Sequence, residues 1–441
     1  MAYNNGAIDE FVENVDPIDP TAQVVGDRFM RDLRTIEVRS EAGDASIGIS
    51  DAGSDNFMQN LRTIQVAAHG DADLSISASA DRPNSGFMEQ LRSIEVIADT
   101  GNVSVSISHD GSDNFMTNLQ TLYVEGGTNA GARVSVSISA SAKDDPTQAL
   151  FAGDLSPDEI DDFGGPSDNF MQSLETITII GNGGRADLSL SHSGGENFMR
   201  SLETLWVDAS GTSDDTFTRA EVSISASSNT FLNPELIGAD FMQSLQTITV
   251  RNEKYGASLS ISHSGGADFM KSLKSITVEQ YGVGDYDLGR AEVSISASAS
   301  LYNGQRLGGD VPGEELFLGE NFMKELQTIR VVAESGETAT LSISHEGGAN
   351  FMQNLTSIYL AKNGTRDDSS AEDGRADISI SASSDVSQNP ALTGDNFMAS
   401  LQTIEIMNSH GGRASVSVSQ EGGDNFMNRQ TTLRVVTTEE A

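Results

Sequence analysis

The sequence contains no cysteine, which excludes disulfide bonds, thiolate metal sites and cysteine nucleophiles. It has no run of 18 apolar residues, so no segment is predicted to span a bilayer. The first residues, MAYNNGAIDEFVENVDP, lack the basic and apolar regions of a classical secretory signal peptide. These absences favour an extracellular or cell-surface protein exported by a leaderless route, and a cytoplasmic location is the alternative.

Basic residues are scarce relative to acidic ones. The chain holds 26 Lys and Arg against 65 Asp and Glu, a formal net charge of −39. Such an acidic chain is repelled by phosphate backbones and by anionic lipid, which argues against nucleic acid and the membrane surface as partners. The serine nucleophile elbow G-x-S-x-G, the P-loop and the H-E-x-x-H zinc motif are also missing. We therefore predict a protein that is not an enzyme.

A block that reads F-M-x-x-L-x-T-I-x-V recurs twelve times along the 441 residues. Short and long spacings between successive blocks alternate, so we predict twelve units arranged in six pairs. All nine prolines lie outside the blocks, in the N-terminal arm or in links that follow even-numbered units. We divide the chain into this arm, residues 1–26, and a repeat array, residues 27–441. The phenylalanines of the blocks are Phe29, Phe57, Phe87, Phe115, Phe170, Phe198, Phe241, Phe269, Phe322, Phe351, Phe397 and Phe426.

Each unit is predicted to contain two short strands. The T-I-x-V part of the block is one, and a segment in which serine alternates with aliphatic residues, such as SLSIS at 258–262, is the other. This period of two places the aliphatic residues in a core and the serines outward. We interpret F-M-x-x-L as one helical turn that covers the end of the core. The core positions of the second unit are Phe57, Met58, Leu61, Ile64 and Val66.

The spacing M-x-x-L-x-[ST]-I-x-V resembles the leucine-rich repeats of bacterial surface antigens, in which C-x-x-L-x-[ST]-I-x-I has the same steps. Met30, Leu33, Ile36 and Val38 carry the resemblance in the first unit. It implies a solenoid, in which stacked units bury a continuous core. The fold prediction is an all-β solenoid of twelve two-strand units in six pairs, each unit with one helical turn. A six-bladed β-propeller with one pair per blade is the alternative.

The two ends of the array differ from its middle. The twelfth unit stops after its first strand, TTLRVV at 431–436, and AQVV precedes the first block where other units keep a second strand. We predict that this strand completes the last unit of a neighbouring molecule, which would produce a head-to-tail filament. Closure of a ring within one chain and simple capping by the arm are the alternatives. The predicted assembly residues are Ala22, Gln23, Val24, Val25, Leu433, Val435 and Val436.

Two sets of side chains are candidate metal ligands. Four histidines occupy one register in odd-numbered units, where they could bind a transition metal or titrate near about pH 6 to 7. A row of exposed polar side chains at a strand end is the alternative. The densest acidic link, 154–168, could bind Ca²⁺, and a solvated loop is its alternative. The candidate ligands are His109, His192, His263 and His345, and Asp154, Asp158, Asp161 and Asp162.

These features favour a structural protein that forms an extracellular or surface filament, with itself as the partner. No cofactor is predicted except Ca²⁺ as an option. The alternative function is an adhesin-like binding module that recognises a glycan, ice or a receptor through its loops or its serine-rich face. The single tryptophan, Trp206, stands alone in the sequence and does not indicate a platform for stacking sugars.

Overall fold

The structure is a computed structural model, and it describes seventeen stretches of the chain that cover the repeated blocks and their strands. They are residues 29–52, 57–80, 86–111, 114–141, 169–193, 198–211, 218–227, 241–264, 269–281, 289–298, 322–334, 338–346, 350–363, 374–383, 396–409, 412–421 and 425–438.

The described strands form two parallel sheets, which we call sheet A and sheet B, and successive strands alternate between them. Sheet A consists of β1 (Thr35–Ser40), β3 (Thr63–Ala68), β5 (Ser93–Ala98), β7 (Thr121–Gly126), β9 (Thr176–Gly181), β11 (Thr204–Ala209), β13 (Thr247–Asn252), β15 (Ser275–Gln280), β17 (Thr328–Ala333), β19 (Ser357–Lys362), β21 (Thr403–Ser409) and β23 (Thr432–Thr438). Sheet B consists of β2 (Ala45–Ala52), β4 (Ala72–Ala80), β6 (Val103–Gly111), β8 (Arg133–Ser141), β10 (Arg185–Ser193), β12 (Arg219–Ser227), β14 (Gly256–Ser264), β16 (Arg290–Ser298), β18 (Thr338–Glu346), β20 (Arg375–Ser383) and β22 (Arg413–Glu421).

Equivalent residues of neighbouring units pair in register. Thr35 pairs with Thr63 and Ile36 with Ile64, and the same pattern repeats through both sheets. Each unit therefore adds one strand to each sheet, which confirms the predicted solenoid. A propeller blade pairs strands within one unit, so the alternative of a six-bladed propeller is wrong. With strands about 4.8 Å apart, the twelve strands of sheet A make a stack about 53 Å long.

The core lies between the two sheets. Sheet strands alternate buried and outward side chains along their length, as in β3 and β8. The aliphatic residues of both sheets point inward, so stacking the units joins them into one hydrophobic cluster that runs through the array. The side chains predicted as the core of the second unit are buried there: Phe57, Met58, Leu61, Ile64 and Val66.

The F-M-x-x-L segment is a tight turn rather than the helical turn that we predicted. Its methionine has a positive φ of 45° to 47° in all twelve copies, which places it in the left-handed region. The Leu61 N–H donates to the Met58 carbonyl over 2.9 Å, and the Met58 N–H donates to the carbonyl of Phe29 in the preceding unit over 2.9 Å. The turn therefore reverses the chain and bonds to its neighbour. This backbone conformation costs about 1–2 kcal/mol for a residue other than glycine.

The phenylalanines of the twelve blocks stack into one column. Successive ring centroids lie 4.7–5.2 Å apart with interplanar angles of 1° to 14°. The column follows from the in-register stack, because each ring repeats at the strand spacing. Aromatic pairs of this kind contribute about 0.5–1.5 kcal/mol each beyond the area that they bury. Within the described ranges, no helix has the length and hydrophobicity that a membrane span requires.

Candidate functional site

The exposed apolar side chains are concentrated at the two ends of the stack. Among the described residues, the large hydrophobic side chains that are exposed are Met30 (42%) at the N-terminal end, and Val418 (44%), Leu433 (57%) and Val435 (44%) at the C-terminal end. The apolar residues that are only partly buried against the core also lie at these ends. They are Phe29, Leu33, Ile36, Val38, Ile47, Ala414, Val416 and Phe426.

Both ends also present sheet edges. The strand β1 pairs with β3 and β23 pairs with β21, and no described strand lies on the outer side of either. In sheet B, β2 pairs with β4 and β22 pairs with β20, and no described strand lies on the outer side of either. Unpaired strand edges offer rows of backbone N–H and C=O groups to another chain. The ends of the stack are therefore its candidate interaction sites.

The C-terminal end has a step, because the described strands number twelve in sheet A and eleven in sheet B. Among the described strands, none lies on the outer side of β22, and none faces β23 across the core. This explains the exposure of Val418 on β22 and of Leu433 and Val435 on β23. One further strand beside β22 would cover all three side chains.

The predicted assembly residues are described in part. Leu433 and Val435 lie at this step and point into it. Val436 is half-buried and pairs with Met407, which places it on the outer face of sheet A rather than in the step. The other predicted assembly residues, at 22–25, lie outside the described residues.

The four register histidines are buried rather than exposed, so the alternative of an exposed polar row is wrong. Their exposures are 2% to 5%. Each ring stacks on the phenylalanine of the next unit. The ring centroids are 4.7 Å apart for His109 and Phe115, 4.5 Å for His192 and Phe198, 4.2 Å for His263 and Phe269, and 4.2 Å for His345 and Phe351.

The spacing of the histidines does not assemble a metal site. An alanine separates successive histidines in sheet B, as Ala226 separates His192 from His263. Histidines two strands apart lie about 10 Å from each other, which is too far for a shared ion. Within the described stretches, no group of three His, Asp or Glu side chains is placed to hold a metal ion.

Burial also changes the chemistry of these rings. It lowers the pKa of His263 to about 3, although a hydrogen bond with the backbone of Ala226 acts in the opposite direction. His345 has its pKa lowered to about 3 for the same reason, with Ala297 as the opposing backbone partner. The prediction that these two side chains titrate near neutral pH is therefore wrong. At pH 7 they are neutral aromatic rings that widen the phenylalanine column.

The acidic candidates for Ca²⁺ remain a prediction. Asp154, Asp158, Asp161 and Asp162 belong to the link 142–168, which lies outside the described residues.

The outer face of sheet A brings together side chains that are far apart in the sequence. The guanidinium carbon of Arg251 lies 4.4 Å from the ring centroid of Tyr281 and 5.7 Å from that of Trp206. The Tyr281 hydroxyl lies 3.5 Å from Asp208 Oδ1. Burial raises the pKa of Asp208 despite the nearby Arg251. Burial, followed by the charge of Asp208, raises the pKa of Tyr281 to about 12.

This cluster continues along the same face. Glu279 lies 3.5 Å from the Arg251 Nε and 2.9 Å from the Arg330 Nε. The Arg330 guanidinium in turn lies over the ring of Tyr359, 4.8 Å from its centroid. Trp206 therefore does not stand alone. Sequence reasoning missed the cluster because links of unequal length separate residues that parallel stacking places on adjacent strands.

Comparisons with known proteins find no match, whether with protein-family models, curated proteins or solved structures. The resemblance to surface-antigen repeats therefore stays a prediction, and a function has to be inferred from the described surfaces.

Proposed function

We propose that the chain is a structural protein that associates head to tail into a filament at an extracellular or cell-surface location. One observation carries the proposal: the exposed large apolar side chains of the described residues lie at the two ends of the stack, beside open sheet edges. The two ends are different surfaces, so their contact is heterologous. Because a contact of this kind relates successive copies by translation, the copies do not close into a ring. Repetition of the contact builds a filament.

The sequences of the two edge strands of sheet A suit each other. Continuing the parallel register places residues 432–435 (Thr-Leu-Arg-Val) against residues 35–38 (Thr-Ile-Glu-Val) of the next copy. Arg434 Nη1 lies 2.5 Å from Glu405 Oε1 within the chain. In the filament Glu37 of the next copy takes the equivalent position on the other side of Arg434. Leucine meets isoleucine and valine meets valine in the same contact.

The same translation continues the other regular features of the stack. Phe426 and Phe29 are the half-buried ends of the ring column, and they become neighbours across the seam. In sheet B the step beside β22 takes one additional strand. In this proposal residues 22–25 of the incoming copy supply it and cover Val418 and Leu433.

Charge reversal at the seam tests the association. We expect Arg434→Glu and Glu37→Arg each to shorten or abolish filaments in negative-stain electron micrographs, because each places like charges on facing strands. The double variant Glu37→Arg/Arg434→Glu restores an opposite pair at the seam and is expected to recover filaments. Circular dichroism of each variant reports whether the stack stays folded.

Two outcomes would contradict parts of this proposal. If both single variants form filaments as long as those of the unchanged chain, the ends of sheet A do not form the seam. Deletion of residues 1–26 tests the added strand separately. If that shortened chain still polymerises at the same protein concentration, the seam exists but the arm does not complete it.

A second candidate function, an adhesin-like binding module, is favoured by the Trp206–Arg251–Tyr281 cluster. Trp, Tyr and Arg are the residue types that most often dominate binding energy at protein interfaces. Because Trp206 is half-buried on the outer face, Trp206→Ala should leave the fold intact. We expect a loss of ligand binding in a glycan and receptor screen for this variant and none for Tyr123→Ala, a control on the same face. Equal binding by both variants would remove this candidate.

A further inference from the structure

The outer face of sheet B carries two central rows made of serine alone. In the ten strands from β4 to β22, both outward positions of the S-x-S motif are serine, and β2 has Gly48 and Ser50 there. The first row is exposed in every one of these strands. We call these two rows the serine face. The first row is Ser75, Ser106, Ser137, Ser189, Ser223, Ser260, Ser294, Ser342, Ser379 and Ser417, and the second is Ser77, Ser108, Ser139, Ser191, Ser225, Ser262, Ser296, Ser344, Ser381 and Ser419.

The solenoid itself does not require serine at these positions. The outward position of sheet A that begins with Glu37 holds Glu, Gln, Tyr, Thr, Trp or Arg in different units. Threonine also occupies the outward first position of most sheet A strands, so the fold accepts it. Threonine has the higher strand propensity of the two hydroxyl residues. On an outer face that contacted only water, threonine would stabilise the strands more than serine does. The absence of threonine from the serine face therefore indicates that a contact on this face excludes the γ-methyl group.

The preference for serine over threonine holds in every strand of sheet B from β4 to β22. Whatever covers the serine face meets the same two hydroxyl groups every 4.8 Å or so along the stack. Sheet B of a second copy has the same strand spacing, so its serine rows match those of the first copy over the whole length. A serine hydroxyl both donates and accepts, which lets facing rows bond to each other without a second residue type.

Charge does not oppose contact between the two serine rows. The chain carries a formal net charge of −39, so two copies repel each other on most approaches. The serine face has no ionisable group in either row. Acidic side chains border the rows on both sides. Beside the first row, Asp187 and Glu221 form ion pairs with Arg185 and Arg219, and Asp377 lies 3.9 Å from Arg413. Asp73 and Glu292 lie in the same register, and Asp110, Glu346 and Glu421 border the second row. The two serine rows of facing copies therefore bring no charged groups together.

We propose that the serine faces of two copies pack against each other, so that solenoids associate side by side. Ten strands and two rows cover about 48 Å by 14 Å, or roughly 670 Å² on each copy. The total of about 1,300 Å² lies within the range of specific protein interfaces. This pairing uses a different surface from the ends of the stack and does not depend on the proposed filament.

The test uses the full chain with Arg434→Glu, so that end-to-end association and side-by-side pairing are measured separately. Sedimentation velocity is run over a concentration series at low and at moderate salt. We expect a monomer–dimer equilibrium that shifts toward the dimer as salt screens the net charge. If Arg434→Glu still forms filaments, the width of the filaments in electron micrographs replaces the dimer as the measurement.

Three sets of substitutions decide the assignment. Ser223→Asp with Ser260→Asp places charges in the face and should raise the Kd of the dimer by roughly tenfold or more. Ser223→Thr with Ser260→Thr should keep or raise thermal stability and still weaken the dimer, because the added methyl groups hold the faces apart. Thr249→Asp with Thr277→Asp changes outward positions of sheet A and is the control, which should leave the Kd unchanged.

The proposal is overturned by any of three results. The first is that the chain stays monomeric at every protein concentration and salt concentration. The second is that the serine substitutions leave the Kd of the dimer unchanged, and the third is that the control substitutions raise the Kd equally. Binding of a crystalline polysaccharide or of ice by the monomer, lost in Ser223→Asp with Ser260→Asp, would assign the face to a different occupant and would equally overturn pairing between copies.

Discussion

Acidification is expected to unfold the solenoid through its buried histidines. His263 and His345 have a pKa of about 3 in the folded chain, because burial disfavours the charged ring, against an ordinary value of 6.5. Between these values the unfolded chain binds more protons than the folded one, so stability falls as the pH falls below about 6.5. Each pH unit costs about 1.4 kcal/mol for each histidine. At about pH 4.5 the two together cost roughly 5 kcal/mol, a large part of the 5–15 kcal/mol that typically stabilises a domain.

The chain offers its own control for this prediction. Gln420 occupies the histidine register in the last strand of sheet B. His263→Gln with His345→Gln therefore keeps a polar side chain of similar length and removes the titration. Urea unfolding at a series of pH values should show a smaller loss of free energy between about pH 6.5 and 4.5 for this variant than for the unchanged chain.

The variant is needed because other groups titrate in the same range. Burial raises the pKa of Asp73 and of Asp208, so these carboxyl groups act in the opposite direction and favour the folded chain as the pH falls. Protonation also relieves the repulsion that a net charge of −39 produces. Identical pH dependence of the two chains would show that the histidines do not control acid unfolding.

Truncation of a central phenylalanine is expected to have the second large effect. The Phe241 ring is fully buried, with centroid distances of 4.9 Å to Phe198 and 4.7 Å to Phe269. Phe241→Ala should lower the free energy of unfolding by about 3–5 kcal/mol, because it opens a cavity and breaks the ring column. In a stack whose units contact only their neighbours, this break also separates the two halves of the array.

The matched control lies at the end of the same column. Phe426 is only partly buried and has one stacking neighbour, Phe397, at 4.8 Å. We expect Phe426→Ala to cost about half as much as Phe241→Ala in urea unfolding, with a single transition retained. For Phe241→Ala we expect a broader transition or two transitions. Equal losses for the two variants, each with one sharp transition, would contradict the model of neighbour-coupled units.

The regular part of this structure could be predicted from the sequence because it depends on residue patterns that repeat over short intervals of the chain. Alternation of serine with isoleucine in segments such as SLSIS defines which side chains are buried, and the repeated block defines how units align. The same period also contained a signal that we missed. His263 lies two residues after the inward Ile261, so its side chain has the same inward parity, and burial followed from the pattern.

Two other features could not be obtained in this way. Phe-Met-x-x-Leu has the spacing of a helical turn, and only the close approach of neighbouring units shows that Met58 adopts a left-handed conformation. The cluster of Trp206, Arg251 and Tyr281 depends on the links between units, whose lengths vary, so no fixed sequence interval indicates it.

The alternation of histidine and alanine within sheet B limits how such a chain can change its length. In the described strands, each histidine has an alanine on the neighbouring strand, as His192 has Ala140 and Ala226. Insertion or loss of a single unit would place two histidines or two alanines on adjacent strands. Two histidines would crowd two buried imidazole rings together, and two alanines would leave an empty volume beside their methyl groups. Insertion or loss of two consecutive units preserves the alternation. A gene for this solenoid can therefore grow and shrink by duplication and deletion of whole pairs, and its products differ in steps of about 10 Å.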